Sequence, residues 1–335
     1  MRGIRQLKVS VLGAGMMGTA LSVHIANKGF IVNIWVRRKE LCKKMLELRE
    51  NPEYYPGIKL PKKIHPINDI SQSVNNVDVI FLAVPSHAVP EVAERVSMAV
   101  SKNATIVNVA KGMSYPPPKM LSEVLFELGF KKVLTMSGPN FAHELIRKVP
   151  SVTVLASKDT ESLLIVKRVI ESDSLFVTTT QDVAGVQIGG IMKGLVAISI
   201  GIADALEMGD NVRGLLFAEG IHEMIEMCQY LGGRAETILG PAGLGDLAAT
   251  AFSLKSRNRA IGYMMGFGLS SQTINNVVKD VVVEGARSLL AIREIAQKKG
   301  CALPLIDALY EIFYENKQAK NALYNLCARK LRAPN

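Results

Sequence analysis

Cysteine, histidine and tryptophan are scarce in this sequence: its 335 residues include four cysteines, five histidines and one tryptophan. The cysteines form no C-x-x-C pair, which argues against a disulfide framework, so we expect reduced thiols in a reducing cytoplasm. They stand far apart, at Cys42, Cys228, Cys301 and Cys327. The histidines lack the H-E-x-x-H spacing, so no metal site is expected. No apolar h-region follows the basic N-terminus MRGIRQLK, so we expect no signal peptide.

Basic residues outnumber acidic ones by 40 to 30, yet no long basic run is interleaved with aromatic residues. The lysines occur in scattered pairs such as Lys43-Lys44 and Lys131-Lys132, which is typical of solvated surfaces rather than of a nucleic-acid track. We therefore expect no nucleic-acid partner. The net charge of +10 can serve a small anionic ligand instead.

Glycine is present in a specific pattern. The stretch VSVLGAGMMG reads as a strand, a tight turn and the start of a helix, and Gly13, Gly15 and Gly18 spell G-x-G-x-x-G. In dinucleotide-binding folds the first glycine allows the turn, the second lets a pyrophosphate approach the backbone, and the third lets the helix pack on the strand. An ordinary strand–helix turn is the alternative, but the apolar helix and second strand predicted after the turn favour a dinucleotide site.

The end of the second predicted strand, Ile31–Val36, bears on which dinucleotide is used. NAD enzymes usually carry Asp or Glu there to bond the ribose 2′-OH. This chain has Arg37 and Arg38, whose guanidinium groups suit a 2′-phosphate. NADP, or use of both NADP and NAD, is therefore favoured over strict NAD. The alternative is two solvated arginines at the start of a loop.

Strand and helix patterns alternate over the first half of the chain, which predicts an α/β fold with a mostly parallel, doubly wound sheet. We assign residues 1–181 to a Rossmann-type dinucleotide-binding domain. Residues 182–335 show helices with glycine loops and are assigned to an all-helical substrate and catalytic domain. Within the first domain, Asn51–Asp69 is rich in Pro, Gly and Asn and is predicted to be a loop.

Ligands bind at the carboxyl ends of parallel strands. We therefore expect Gly13–Gly18, Pro85–His87 and Lys111 to meet at that edge of the sheet, with Gly138–Ala142 close by. Lys111 suits a phosphate or a carbonyl oxygen there, although a solvated loop lysine is the alternative.

A long apolar helix is predicted over Val183–Ala203, with Lys193 as its only charge. A transmembrane span is one interpretation, but the central lysine, Gln187 and several glycines argue against it, so we expect no integral membrane span. In a buried helix Lys193 either extends to solvent or has a function. Because burial disfavours the charged form of an amine, a lysine held there can exchange a proton with a hydroxyl or a carbonyl.

The sequence Ser256-Arg257-Asn258-Arg259 has two interpretations. It can be a solvated helix start, for which serine is a common first residue. It can also be a phosphate site, because a serine, a helix N-terminus and an arginine fork are what a phosphate monoester needs.

Motifs from Gly13 to Pro304 together resemble those of the NAD(P)-dependent sn-glycerol-3-phosphate dehydrogenases of the bacterial type. They occur in order as GAGMMGTAL, NPEYYPGIKLP, VPSHAV, AKGM, SGPNFAHE, GVQIGGIMK, AGLGDL, SRNR and VVEG. The resemblance implies hydride transfer from NAD(P)H to dihydroxyacetone phosphate, which gives sn-glycerol 3-phosphate for glycerophospholipid synthesis in the cytoplasm. It is also compatible with a homodimer.

The resemblance implies roles for individual residues. Lys193 would be the catalytic proton donor and acceptor, and Asp246 would orient it. Substrate contacts are implied for Lys111, Gly138, Asn140, Lys193, Asp246, Ser256, Arg257 and Asn258. Together with the turn glycines Gly13, Gly15 and Gly18, the implied cofactor contacts are Met16, Met17, Arg37, Lys111, Ala142, Arg257, Val282 and Glu284.

Two positions depart from the family pattern, since Asn140 stands where Ser or Thr is usual and Gly194 stands where Asn is usual. Two other classes of protein compete. A β-hydroxyacid dehydrogenase pairs this fold with a catalytic lysine, but it typically carries Asn at the position of Ala197 and needs a carboxylate site. A non-enzymatic dinucleotide sensor would need no proton carrier, and Lys193 argues against it.

Overall fold

The structure is a computed structural model that describes residues 7–101, 103–270, 273–274 and 281–332. It divides into two compact units. The first contains the described residues up to Ala110 together with Leu121–Val183, and the second contains Lys111–Met120 together with the described residues from Ala184 onward. No disulfide joins the four cysteines.

The strands are numbered in chain order and are short. They are β1 (Lys8–Leu12), β2 (Ile31–Trp35), β3 (Glu50–Asn51), β4 (Tyr55–Lys59), β5 (Ile64–Ile67), β6 (Val79–Leu82), β7 (Thr105–Asn108), β8 (Met113–Ser114), β9 (Lys119–Met120), β10 (Lys132–Ser137), β11 (Ser151–Ala156) and β12 (Leu175–Thr180).

Eight of these strands form one sheet in the order β12-β11-β10-β7-β6-β1-β2-β5. Only the β10–β11 pair is antiparallel, so the predicted doubly wound, mostly parallel sheet is confirmed. The chain leaves β1 towards β2 and β5 and then returns to β6 on the other side of β1. Ligands of such sheets bind at the carboxyl ends of the strands where the order reverses, which here are those of β1 and β6.

Helices cover both faces of this sheet. They are α1 (Met16–Asn27), α2 (Lys39–Leu48), α3 (Ile70–Ser73), α4 (Val89–Ser97), α5 (Leu121–Glu127), α6 (Ala142–Leu145) and α7 (Thr160–Ile170). Successive strand residues point to opposite faces, so Phe81 packs in one apolar cluster and its neighbours Ile80 and Leu82 in the other. Burial on both faces explains why β6 and β7 are buried throughout.

The prediction of a loop over Asn51–Asp69 is wrong. Hairpin β3–β4 begins there, and β5 pairs with β2 as the edge strand of the sheet. Pro66 misled the prediction because proline cannot donate to a sheet ladder, but an edge strand tolerates it on its outer side. Ile64 is fully buried and packs this strand against the apolar core of the first unit.

The described part of the second unit is helical apart from hairpin β8–β9. Its helices are α8 (Val183–Ala205), α9 (Gly209–Tyr230), α10 (Ala235–Leu239), α11 (Asp246–Phe252), α12 (Arg257–Gly266), α13 (Val281–Lys299), α14 (Pro304–Tyr314) and α15 (Ala319–Arg332). The predicted domain boundary at residues 181/182 places Lys111–Met120 in the first domain. The structure groups this segment with the helices because Met113 and Met120 are buried in their apolar core.

Helix α8 is the centre of the second unit. Among the described residues it is the one helix long and apolar enough to cross a membrane, but 94% of its most apolar 18-residue window is buried inside the protein. Glycines let neighbouring backbones approach it closely. A Cβ on Gly189 would lie 2.4 Å from the carbonyl oxygen of Ala242, and one on Gly201 would lie 2.1 Å from that of Arg259. Larger side chains at these positions would push the neighbouring segments away.

A buried carboxylate joins α9 to the start of α14. Glu223 is fully buried and accepts hydrogen bonds from the backbone N–H groups of Leu305 and Ile306. Burial raises the pKa of Glu223 to about 8, although those two N–H groups oppose the shift. A carboxyl whose pKa is raised by folding contributes stability that is complete below its unfolded-state pKa and is lost as the pH rises through its folded-state pKa.

We therefore expect the wild-type protein to lose stability relative to Glu223→Gln as the pH rises from about 5 to about 8. The expected change is at least ~1.4 kcal/mol, the equivalent of one pKa unit. Urea unfolding at both pH values measures it. Glu236→Gln, which changes an exposed carboxyl on α10, is the control and should show no such pH dependence. A stability difference between wild type and Glu223→Gln that is the same at both pH values would contradict the prediction.

Candidate active site

The glycine turn follows β1 at the reversal point of the sheet. Gly13 has φ of +114°, and a Cβ there would lie 2.6 Å from the carbonyl oxygen of Ala83, which follows β6. A Cβ on Gly18 would lie 1.8 Å from the carbonyl oxygen of Gly13, so only glycine lets α1 begin this close to the turn. A Cβ on Gly15, in contrast, would meet no atom within 4 Å. Backbone atoms therefore fill the space beside Gly13 and Gly18, whereas the space beside Gly15 is open, as an approaching pyrophosphate requires.

The side chains around this turn fit a dinucleotide. Met16 and Met17 form the first turn of α1, where backbone N–H groups have no partner within the helix. Arg37 and Arg38 follow β2, and both are exposed. The Arg38 guanidinium pairs with Glu53. No described residue forms an ion pair or hydrogen bond with the Arg37 side chain, so of the two arginines Arg37 is the candidate for a 2′-phosphate.

The segment after β10 is fixed against β11. Gly138 has φ of +139°, and a Cβ there would lie 3.0 Å from the carbonyl oxygen of Val152. Asn140 is buried, and its Nδ2 donates to Thr153 Oγ1 at 3.0 Å. Asn140 thus helps to hold the backbone of this segment. Ala142 begins α6.

The second unit brings two lysines to one carboxylate. Lys193 Nζ donates to Asp246 Oδ1 at 3.0 Å, and Lys111 Nζ donates to Asp246 Oδ2 at 2.6 Å. Lys193 and Asp246 are buried, whereas the Lys111 side chain is 21% exposed. Helix α8 carries Lys193, and Asp246 begins α11 directly after the π-helical turn Pro241–Gly245. Sequence reasoning selected all three residues, and the structure places them in one hydrogen-bonded cluster.

The cluster has one more positive than negative charge when all its groups are ionised. Burial alone would raise the pKa of the Asp246 carboxyl, but the ammonium groups of Lys111 and Lys193 hold it below its ordinary value. Burial lowers the pKa of Lys111 to about 8, with Asp246 opposing the shift and Lys193 adding to it. Asp246 therefore stays ionised at neutral pH, and the surplus positive charge suits an anion or an oxygen that gains negative charge.

Thr250 is part of this cluster, and the sequence analysis missed it. Its hydroxyl donates to the backbone carbonyl of Asp246 at 2.7 Å, so its lone pairs are left to accept from Lys193 Nζ, which lies 2.8 Å away. The sequence spacing between Asp246 and Thr250 could have identified it. Thr250 lies four residues after Asp246 in α11 and so shares its face of the helix.

The start of α12 lies beside helix α8. The Ser256 hydroxyl accepts from the backbone N–H of Arg259 and caps α12, so a helix begins at this sequence, as both interpretations of it require. Arg257 is exposed and Asn258 half-buried in the first turn. A Cβ on Gly194 would lie 2.9 Å from Asn258 Nδ2, so the Asn258 amide occupies the space that a side chain at position 194 would need.

Two predicted cofactor residues cannot be placed by their side chains. Val282 and Glu284 lie in α13, and the side chains at 281–284 fall outside the described residues. Among the described residues no group of three or more His, Cys, Asp or Glu could hold a metal ion.

Comparison with known proteins decides the family. Residues 8–163 match the family model for the N-terminus of NAD-dependent glycerol-3-phosphate dehydrogenase, and residues 182–324 match the model for its C-terminus. The glycerol-3-phosphate dehydrogenase (NAD(P)+) of Moorella thermoacetica is 38% identical over 321 residues, which cover 96% of each chain. This chain belongs to the NAD-dependent glycerol-3-phosphate dehydrogenase family.

Other members agree with this assignment. The glycerol-3-phosphate dehydrogenase (NAD(P)+) of Clostridium tetani is 33% identical over 96% of this chain and 92% of its own. The crystal structure of glycerol-3-phosphate dehydrogenase from Coxiella burnetii superposes with a TM-score of 0.92 at 29% identity, and the match covers 96% of this chain and 99% of that one. Membership of this family favours NAD or NADP as cofactor and argues against the β-hydroxyacid dehydrogenase alternative.

The arrangement after β2 leads to a prediction about the cofactor. Arg37→Ala should lower kcat/KM for NADPH about tenfold or more, with little change for NADH, because only NADPH carries the 2′-phosphate that a guanidinium binds. Initial rates with each reduced cofactor measure this effect. Arg38→Ala is the matched control. Its effects on kcat/KM for NADPH and for NADH should differ less, since the Arg38 guanidinium of the wild type already pairs with Glu53. Equal losses with both cofactors in Arg37→Ala would contradict the prediction.

Proposed function

We propose that this chain interconverts dihydroxyacetone phosphate and sn-glycerol 3-phosphate with NADPH or NADH. The observation that carries the proposal is the Lys111–Asp246–Lys193 cluster, which places a buried amine beside a fixed carboxylate in a chain of this family. The bound cofactor supplies the hydride. The first unit would hold the cofactor, and the second would hold the substrate and move the proton.

Lys193 is the proton carrier in this proposal. An ammonium group has three N–H donors, and Asp246 and Thr250 accept two of those of Lys193. Among the described residues no acceptor takes the third, which can therefore point to the C2 oxygen of the substrate. The ammonium would donate its proton to that oxygen as it gains charge, and the neutral amine would take the proton back in the reverse reaction.

The start of α12 is the proposed phosphate site. Arg257 offers a fork of N–H donors, Asn258 adds an amide, and Ser256 caps the N-terminus of α12, where the first backbone N–H groups have no partner within the helix. Lys111 would contribute charge to the substrate and to the cofactor. Gly138 and Asn140 are proposed as further substrate contacts. For Asn140 the contact would come from its backbone, because its side chain donates to Thr153.

The physiological role follows from the product. sn-Glycerol 3-phosphate is the backbone to which acyl chains are added in glycerophospholipids, so we propose that this chain supplies that synthesis. A cytoplasmic location agrees with four cysteines that form no disulfide.

The substrate assignment predicts discrimination by phosphate. Wild-type protein should oxidise NADPH with dihydroxyacetone phosphate and only weakly with unphosphorylated dihydroxyacetone. Arg257→Ala should raise KM for dihydroxyacetone phosphate about tenfold or more and lose most of this discrimination, because a charge-assisted bond to phosphate is worth roughly 1.5–3 kcal/mol. An initial-rate assay measures both effects. Absence of turnover with dihydroxyacetone phosphate in the wild type would refute the proposed reaction.

Lys193→Met tests the proton carrier. Methionine is unbranched like lysine and only one atom shorter, and the change leaves Asp246 paired with Lys111, so the protein should fold and bind NADPH. Turnover should fall by roughly 100-fold or more, the usual scale for loss of a positioned proton carrier. The loss should appear in kcat as well as in kcat/KM.

The control for this change is Lys298→Met, an exposed lysine of α13 that pairs with Glu294, and its kcat should match the wild type. A folded Lys193→Met protein that binds NADPH and keeps a near-normal kcat would overturn the role of Lys193.

A further inference from the structure

Hairpin β3–β4, residues 50–59, lies beside the glycine turn and touches it with two side chains. Asn51 and Tyr55 face each other across the hairpin and are 0% and 7% exposed. Both side chains end on residues of the turn rather than on the hairpin itself. The hydrogen bonds of these two side chains hold the hairpin to the turn and to the start of α1.

Asn51 joins the turn to helix α1. Its Nδ2 donates to the backbone carbonyl of Ala14 at 2.9 Å and to Thr19 Oγ1 at 2.8 Å. Ala14 lies between the first two glycines of the motif, and Thr19 lies in the first turns of α1. One amide group therefore fixes the turn to the helix whose N-terminus faces the cofactor.

Tyr55 holds a second carbonyl of the same segment. Its hydroxyl donates to the backbone carbonyl of Met16 at 3.1 Å. Burial raises the pKa of Tyr55 to about 12, so the hydroxyl remains a donor throughout the physiological range. Two carbonyls of the glycine segment are thus held by donors on one hairpin.

Other contacts also help to close the hairpin. The guanidinium of Arg49 donates to the carbonyls of Leu60, Pro61 and Ile64 and ties the base of the hairpin to β5. Moreover, Asn51 Oδ1 is buried and has no hydrogen-bond partner among the described residues. A buried acceptor left unpaired costs stability, so the amide at this position is explained better by what its N–H groups hold than by stability alone.

We propose that Asn51 and Tyr55 are positioning residues for cofactor binding. They hold the carbonyls of Ala14 and Met16, so that the backbone N–H groups of the glycine segment stay directed at the pyrophosphate of NADPH or NADH. Without them the glycine turn and the start of α1 would be held less firmly, so the N–H groups would be directed less accurately at the phosphates. The inference rests on the proposed cofactor position at the turn.

Binding of NADPH to the purified full-length protein tests the inference. Energy transfer from Trp35, the single tryptophan of the chain, to bound NADPH reports the Kd without turnover. Tyr55→Phe removes only the hydroxyl and should raise the Kd about 3- to 10-fold, the factor for one hydrogen bond. Asn51→Ala should raise it further because two bonds are lost. KM for NADPH should rise in parallel, while KM for dihydroxyacetone phosphate stays within about twofold, since the proposed phosphate residues belong to the second unit.

Two matched variants separate positioning from general loosening. Tyr54→Phe changes the neighbouring, exposed tyrosine. Asn33→Ala removes a half-buried amide of the same unit that donates to the carbonyl of Ser73, away from the turn. Both should keep the wild-type Kd, even where Asn33→Ala lowers the melting temperature.

Wild-type Kd values in Tyr55→Phe and Asn51→Ala would overturn the inference and leave the proposed function intact. An equal loss of NADPH affinity in Asn33→Ala would also overturn it, because the effect would then be structural. If Asn51→Ala does not fold, Tyr55→Phe alone decides. A wild-type protein that binds neither NADPH nor NADH would refute the proposed function together with this inference.

Discussion

Two ammonium groups held close together in a protein interior repel each other, and a carboxylate between them offsets that repulsion. Asp246 is that carboxylate, and each of its oxygens takes one lysine. Removing it would leave the two ammonium groups close together without the carboxylate that offsets their charges, a change that is costly in a protein interior. The carboxylate does not balance the pair completely, and in the proposed reaction the remaining positive charge would attract a phosphorylated ketone. Stability and chemistry in the second unit therefore depend on the same side chain.

Close backbone packing puts this carboxylate in place. Gly189 lets the backbone at Ala242 approach helix α8, and Asp246 follows four residues later at the start of α11. Lys193 lies one turn beyond Gly189 on the same helix, so the close approach brings the amine and the carboxylate together. Because both groups sit on packed helices rather than on surface loops, their separation is fixed before a substrate binds.

The sequence predicted the sheet, the glycine turn and the apolar helix because each has a local pattern with a direct physical meaning. Gly13, Gly15 and Gly18 differ in what surrounds them, and their spacing alone anticipated this. Features that depend on distant contacts could not be predicted in the same way. The pairing of Arg38 with Glu53 is one, since neither residue indicates in sequence which partner it has. The role of Asn51 is another, because a run rich in Pro, Gly and Asn is typical of a loop and nothing in it points to the carbonyl of Ala14.

The segment Lys111–Met120 has a consequence for how this protein can be divided. The chain passes between the two units after Ala110, after Met120 and after Val183, so neither unit is one continuous stretch. A cut near residue 182 would yield a C-terminal fragment that lacks hairpin β8–β9, two core methionines and Lys111. Exchange of helical units between relatives, by recombination or by design, would therefore have to move two separate stretches of chain together. A gene breakpoint near residue 182 would produce a helical unit that keeps Lys193 but lacks Lys111.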